Sequence, residues 1–272
     1  MTNYYHIDEP SIISFSGGST SGFMLYQIWA AHDKKIPNHI KVAFANTGLE
    51  HPKTLDFVER CSIEWGIEIN WLEYAGNKTF KKVDYASASK NGEPFECLIN
   101  ERQYYPNPVA RFCTVELKIK TIERWAESLN DFSKEGHLDL LGLRYDEPRR
   151  VSNVKKNNRK NEAYCPMYDA KHTLKDVDLF WEKQKFCLEI PRILGNCVGC
   201  FLKGSSKLNY IASQDPGLLE WWAKKEETGL TNCKKPKFRT DRPSYRGIIN
   251  MAKNQKTFNF ENDDIIDCNC TD

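Results

Sequence analysis

Two groups of residues in this chain have the types and spacing for chemistry. The first is Ser16-Gly17-Gly18-Ser19-Thr20-Ser21, between a short apolar run and the start of a helical pattern. Glycines at such a turn let backbone N–H groups approach phosphate oxygens closely. The hydroxyls of Ser19, Thr20 and Ser21 add donors, and a helix N-terminus adds partial positive charge. The loop lacks the Gly-Lys-Ser/Thr ending of a Walker sequence and the G-x-G-x-x-G of a dinucleotide site. A plain turn is the competing reading of the motif alone; its place after the first strand of an alternating pattern favours phosphate. The second group is thiols. The chain has 10 cysteines, paired as Cys197-Val198-Gly199-Cys200 and Cys268-Asn269-Cys270, with Cys113 standing alone in a basic context. Under reducing conditions clustered cysteines read as metal ligands or redox groups. C-x-x-C with C-x-C could supply four thiolates to a structural Zn²⁺, and a lone C-x-x-C could be a redox dithiol. Cys61, Cys97 and Cys187 read as small packed hydrophobes.

A third set is basic: Arg111, Lys118, Lys120, Arg144, Arg149 and Arg150. Such side chains suit phosphate and sulfate, and they stabilise charge that develops as a phosphoryl bond breaks. Lys118 lies four residues after Thr114, so the two share a helix face. Asp146 and Glu147 follow Arg144, either to orient it or to hold Mg²⁺.

These groups need a frame, and the apolar periodicity supplies one. Ile12–Ser16, Lys41–Ala45, Ile67–Leu72 and His137–Leu143 read as strands. Ser21–Ala31, Pro52–Trp65 and Thr114–Leu129 read as helices, with Pro52 in a first turn. Alternation of this kind predicts an α/β fold, a doubly wound parallel sheet whose ligands sit at the carboxyl ends of the strands. The expected division is a nucleotide-binding domain over 1–150 and a cysteine-bearing, helical or irregular region over 151–272. After the fourth strand, Arg149–Lys160 is polar, basic and aperiodic and reads as a mobile loop, a solvated surface or a cover for an anionic substrate. Thr173–Lys185 reads as a helix, and the tail from Leu230 as polar and irregular. Phe180-Trp181 and Trp221-Trp222 are expected in packing. Lys234–Arg246 is a basic patch read first as a solvated tail and second as a nucleic-acid contact.

Composition sets the outer bounds. The chain has 272 residues, 40% of them hydrophobic, which supports a packed core and excludes disordered and fibrous classes. With 39 basic and 37 acidic residues the net charge is +2, so global charge does not point to nucleic acid. No apolar run is long enough for a spanning helix, and the first residues lack a secretion signal, so the expected location is cytoplasmic.

SFSGGSTS resembles the S-G-G-x-x-S loop of the ATP-pyrophosphatase (PP-loop) superfamily. FANTGLEHPKTLDFV, GEPFECLI, NPVARFCTVELKIKT, LGLRYDEPRR and GNCVGCFLKG follow in order. Together they resemble the phosphoadenosine phosphosulfate reductase family, most of all its phage- and prophage-associated branch, over roughly residues 12 to 225. The resemblance implies an adenine nucleotide alpha-hydrolase-like fold with Ser16 to Ser21 around the phosphates of ATP or phosphoadenosine phosphosulfate. It implies Ala45, Asn46, Thr47 and Gly48 beside the nucleotide, and Arg111, Lys118 and Arg144 as the catalytic cations. Many PP-loop members have Asp where Thr20 stands. The intact Ser-Gly-Gly loop leans towards ATP cleaved between its α and β phosphates. By the same resemblance Cys113, Cys197 and Cys200 match three ligands of a 4Fe–4S cluster, with Phe112 in place of the fourth; Cys268 or Cys270 would complete the set, or one iron would stay open. The implied partners are a thiol reductant such as thioredoxin or a tRNA or DNA sulfur acceptor, with a homodimer as the implied assembly.

Overall fold

The computed structural model describes residues 3–129, 132, 136–156, 161–231 and 237–254. Its centre is a six-stranded sheet of β1 (Ser11–Ser14), β2 (Ile40–Ala45), β3 (Ile69–Tyr74), β4 (Phe80–Val83), β5 (Leu138–Leu140) and β6 (Glu162–Tyr164). The spatial order is β4-β3-β2-β1-β5-β6, and every neighbouring pair is parallel except β3 with β4. Helix α1 (Ser19–Ala31) joins β1 to β2, and α2 (Pro52–Trp65) joins β2 to β3.

The period-two alternation of a strand sorts the side chains to two faces. Ile13, Val42, Phe44, Ile69 and Trp71 pack against α1, α2 and the helix Leu174–Trp181. Ile12, Ala43, Ala45 and Leu72 meet Ile122, Trp125 and Ala126 from the opposite side. Both faces are therefore covered, as a parallel sheet requires. Helix α2 has its expected bounds: Pro52 sits in the first turn, His51 accepts from Lys53 N at 3.1 Å, and Gly66 ends it with φ +61°.

Between β4 and β5 lie α3 (Glu93–Arg102), the short α4 (Phe112–Thr114), a π-helical turn at Val115–Ile119 and α5 (Lys120–Glu127). A second apolar cluster joins α3 to the helices Ser205–Gln214, Glu220–Thr228 and Tyr245–Asn254 around Trp222, Phe238 and Tyr245. The paired tryptophans thus serve packing, and Cys197 and Cys200 belong to the same cluster.

Four expectations change. The stretch expected as a loop from Arg149 is helical over Pro148–Lys156, because Val151 and Val154, three residues apart, are both buried; residues 157–160 lie outside the described residues. The tail is helical over Tyr245–Asn254, which buries Ile248, Ile249 and Ala252. Much of the basic patch is consumed in internal pairs: Arg246 with Glu220 and Glu227, Arg239 with Asp241, and Arg242 donating to Lys203 O. A boundary at residue 150 falls inside the helix Pro148–Lys156, and β6, beyond it, completes the sheet. Among the described residues no helix is long and apolar enough to cross a membrane.

One buried carboxylate fixes the β2–β3 end of the sheet. Glu73 is fully buried and accepts from Asn46 Nδ2 at 2.6 Å, Ser89 N at 2.6 Å, Ser89 Oγ at 2.7 Å and Lys81 Nζ at 3.0 Å. Removing it leaves buried donors unmatched. Glu73→Ala should lower the free energy of unfolding by about 3 kcal/mol in a urea titration. Lys81→Ala, at the half-exposed partner, should cost about 1 kcal/mol or less.

Candidate functional site

The chain leaves β1 with Phe15 N bonded to Ala43 O at 2.9 Å and turns sharply at Gly17. Gly17 has φ +75°, and a Cβ there would lie 2.8 Å from Thr54 Cγ2, so glycine is required on both counts. Gly18 is the N-cap of α1 and offers no capping side chain to the first-turn amides. Ser16 Oγ and Ser21 Oγ bond each other at 2.9 Å, and Ser21 Oγ donates to Gly18 O at 3.0 Å, closing the loop on itself. Trp181 Nε1 donates to Ser19 O at 2.8 Å and ties the loop to the helix behind it. The loop opens into a cleft of about 780 Å³ at the carboxyl ends of the strands.

The cleft wall brings together Ser16 to Ser21, Ala45, Thr54, Lys118, Arg144, Arg150 and, from the C-terminal half, Lys203 and Lys207. Arg144 is 7% exposed. Its Nε donates to Asp146 Oδ1 at 2.9 Å, its Nη1 to Thr20 Oγ1 at 3.3 Å, and Glu147 Oε2 lies 3.5 Å from Nη1. Glu147 also pairs with Arg150. Asp146 and Glu147 are therefore placed to orient the arginines.

Lys118 sits on the π turn, where one extra residue widens the helix. Glu116, in the same turn, holds Arg102 at 2.9 Å, Arg124 at 2.8 Å and Lys120 at 3.3 Å. Burial alone would raise the Glu116 carboxyl, but hydrogen bonds and charge from Arg124 and Lys120 outweigh it and leave it below the ordinary carboxylate range.

Behind Lys118 lies a second, smaller cavity lined by Thr47, Cys113, Thr114, Lys118, Cys197 and Cys200, among others. Thr114 and Lys118 share a face, as their spacing predicts. The C-V-G-C turn docks on the β2 exit: Val198 N donates to Leu49 O at 3.0 Å, and Thr47 Oγ1 lies 3.4 Å from Cys197 Sγ. Glu50 accepts from Thr47 N at 3.0 Å and from Thr47 Oγ1 at 2.9 Å, with Lys118 Nζ at 3.7 Å. Lys203 Nζ reaches across the turn to the carbonyls of Gly195 (3.0 Å), Cys197 (2.9 Å) and Val198 (2.9 Å). Gly199 is required because a Cβ would lie 2.2 Å from Trp222 Nε1.

Cys113, Cys197 and Cys200 thus converge, but the space they enclose is only about 20 Å³, room for one water-sized species. As arranged it does not fit a 4Fe–4S cluster. Among the described residues no group of three or more His, Cys, Asp or Glu is placed to hold a metal ion. Cys268 and Cys270 lie outside the described residues.

Other expected residues fall elsewhere. Asn46 is fully buried; its Nδ2 donates to Glu73 and Ser89 O, and its Oδ1 accepts from Gly48 N at 3.0 Å. Gly48 has φ +76°, with no room for a Cβ beside Gly92. Of the four residues expected beside the nucleotide, Ala45 lines the cleft, Asn46 and Gly48 do not, and Thr47 faces the thiol cavity. Asn46 and Gly48 thus pack away from the cleft wall, while Thr47 stands between Glu50 and Cys197. Arg111 is the N-cap of α4 and is not on the cleft wall. Sequence reasoning missed Glu50, Thr54 and Lys203, although each lies in or beside a quoted motif; none has a spacing that announces a buried partner.

No family model matches this chain. It is similar to the uncharacterized nin region protein ORF290 of Escherichia phage lambda, 26% identical over 220 residues, 76% of this chain and 71% of that protein. That relative is a phage protein, in keeping with the phage-associated character expected from the motifs.

Since the Glu116 carboxyl sits lower in the folded chain than in the unfolded one, its stabilisation is complete above the ordinary carboxylate pKa of 4.5 and drains away as pH falls through the folded value. Thermal unfolding at pH 7 and pH 4 should show wild type losing more stability on acidification than Glu116→Gln. Equal losses would mean that Glu116 does not carry this part of the acid sensitivity.

Proposed function

We propose that this chain is an enzyme of nucleotide-dependent sulfur chemistry, similar to the phosphoadenosine phosphosulfate reductase family. The observation that carries the reading is Lys118, which lines both the glycine-loop cleft and the cavity of Cys113, Cys197 and Cys200. An anion bound at the loop and a sulfur atom held by the thiols would meet at one ammonium.

In this reading the amides at the start of α1 take the phosphate oxygens of an adenine nucleotide, ATP or phosphoadenosine phosphosulfate. Arg144, held by Asp146, and Lys118, held by Glu50, offset the charge that grows on the leaving phosphate or pyrophosphate. Reduction of phosphoadenosine phosphosulfate to sulfite takes two electrons from a pair of thiols that ends as a disulfide, which a reductant such as thioredoxin would reopen. The intact loop, closed by Ser16 and Ser21, favours a second reaction. There an oxygen of the tRNA or DNA acceptor attacks the α phosphate of ATP and pyrophosphate leaves; a hydrosulfide-level donor sulfur then displaces AMP from the adenylated position.

Protein purified without oxygen, given each nucleotide with thiol and with or without tRNA or DNA, separates the two by sulfite or pyrophosphate release. Lys118→Ala and Arg144→Ala should each lower kcat/KM by about 10²-fold or more with the fold intact by circular dichroism. Neither binding nor product with either nucleotide would overturn the proposal.

A further inference from the structure

The geometry points to Thr20 as a relay: Arg144 acts on the bound anion through the Thr20 hydroxyl, and the group recognised there is a phosphate-type oxyanion. The inference rests on the cleft being the anion site proposed above.

A guanidinium has donors and no acceptor. In the 3.3 Å contact between Arg144 Nη1 and Thr20 Oγ1 the hydroxyl is therefore the acceptor. Its own hydrogen must point elsewhere, and Thr20, in the first turn of α1, lines the cleft. Two neighbouring hydroxyls are differently placed, since Ser16 and Ser21 bond each other and Ser21 reaches Gly18 O. A hydroxyl that accepts from a cation is polarised and becomes a stronger donor in turn. Arg144 is in no position to swing away, with its Nε on Asp146 and only 7% of the residue exposed.

The chemistry of position 20 then sets what the loop selects. Threonine presents a donor with positive charge behind it, alongside the amides of the first turn, and all of these want an acceptor with negative charge. A carboxylate at the same position would pair with Arg144 and present an acceptor to the cleft, reversing the preference. Recognition of the oxyanion thus runs through a neutral side chain whose direction is fixed by a charged one. Thr20 touches the ligand, and Arg144 is its positioning residue.

Calorimetric titration with pyrophosphate tests this without reference to the nucleoside. Thr20→Val should weaken pyrophosphate binding by about tenfold, while Thr20→Ser, which keeps the hydroxyl, should stay within about threefold of wild type. Arg144→Gln should also weaken binding, and Thr20→Val/Arg144→Gln should bind no more weakly than Arg144→Gln alone, because both changes break one path. Thermal unfolding of the unliganded variants controls for folding. Wild-type affinity in Thr20→Val, or fold-losses that multiply in the double variant, would overturn the relay. If wild type binds pyrophosphate and the cycle behaves as stated but no adenine nucleotide binds, the relay holds and the proposed function fails. If wild type binds neither pyrophosphate nor nucleotide, both fail.

Discussion

The site depends on the buried carboxylate of Glu50. An ionised group taken out of water survives only when its oxygens are met. Glu50 meets that demand from two directions, with Thr47 from its own turn and Lys118 from the π turn. The same turn pairs with the C-V-G-C segment through Leu49 and Val198 and through the bridge of Glu50 with Cys197. Three pieces of chain far apart in sequence are thereby registered around one negative charge. Lys118 can be a cation facing the cleft because Glu50 holds its ammonium near the cleft wall.

A division of labour follows between the two halves. The sheet supplies the glycine loop and Arg144, both at strand exits, where helix dipoles and exposed amides already favour an anion. The C-V-G-C turn that precedes the C-terminal helices supplies Cys197 and Cys200, embedded in an apolar cluster with Phe95, Trp222 and Tyr245, and α4 supplies Cys113 at its edge. The α4–π–α5 segment lies between the halves. Its Leu117 packs with the C-terminal cluster and its Ile122 with the sheet. The widened turn lets one helix satisfy both and still direct Lys118 to the boundary.

The parts of this arrangement that were legible in the sequence are those fixed by local pattern. The runs around β1, β2 and β3 and the Pro52–Trp65 helix carry enough apolar periodicity to be read directly, though the third strand lies two residues later than its apolar run suggests. The glycine loop was readable because a positive φ followed by a helix start needs that composition. Helix Pro148–Lys156 was not, since two valines among basic residues make too thin a stripe to outweigh the polarity. Strand β4, with Lys81 and Lys82 at the sheet edge, has the composition of a loop for the same reason that it serves as an edge. The direction of Asn46 and Gly48 was not legible, because a motif gives position but not direction. Their side of the turn faces Glu73 and Gly92, partners that only the tertiary fold brings near.

The three carbonyls gathered by Lys203 have a bearing on the thiols themselves. An ammonium with three donors and three fixed acceptors holds the backbone of the C-V-G-C turn by contacts that involve no sulfur. Cys197 and Cys200 can therefore gain or lose a proton, or a bond to another atom, while the scaffold that presents them keeps its shape. Such a turn is ready for a change of sulfur chemistry without first having to refold.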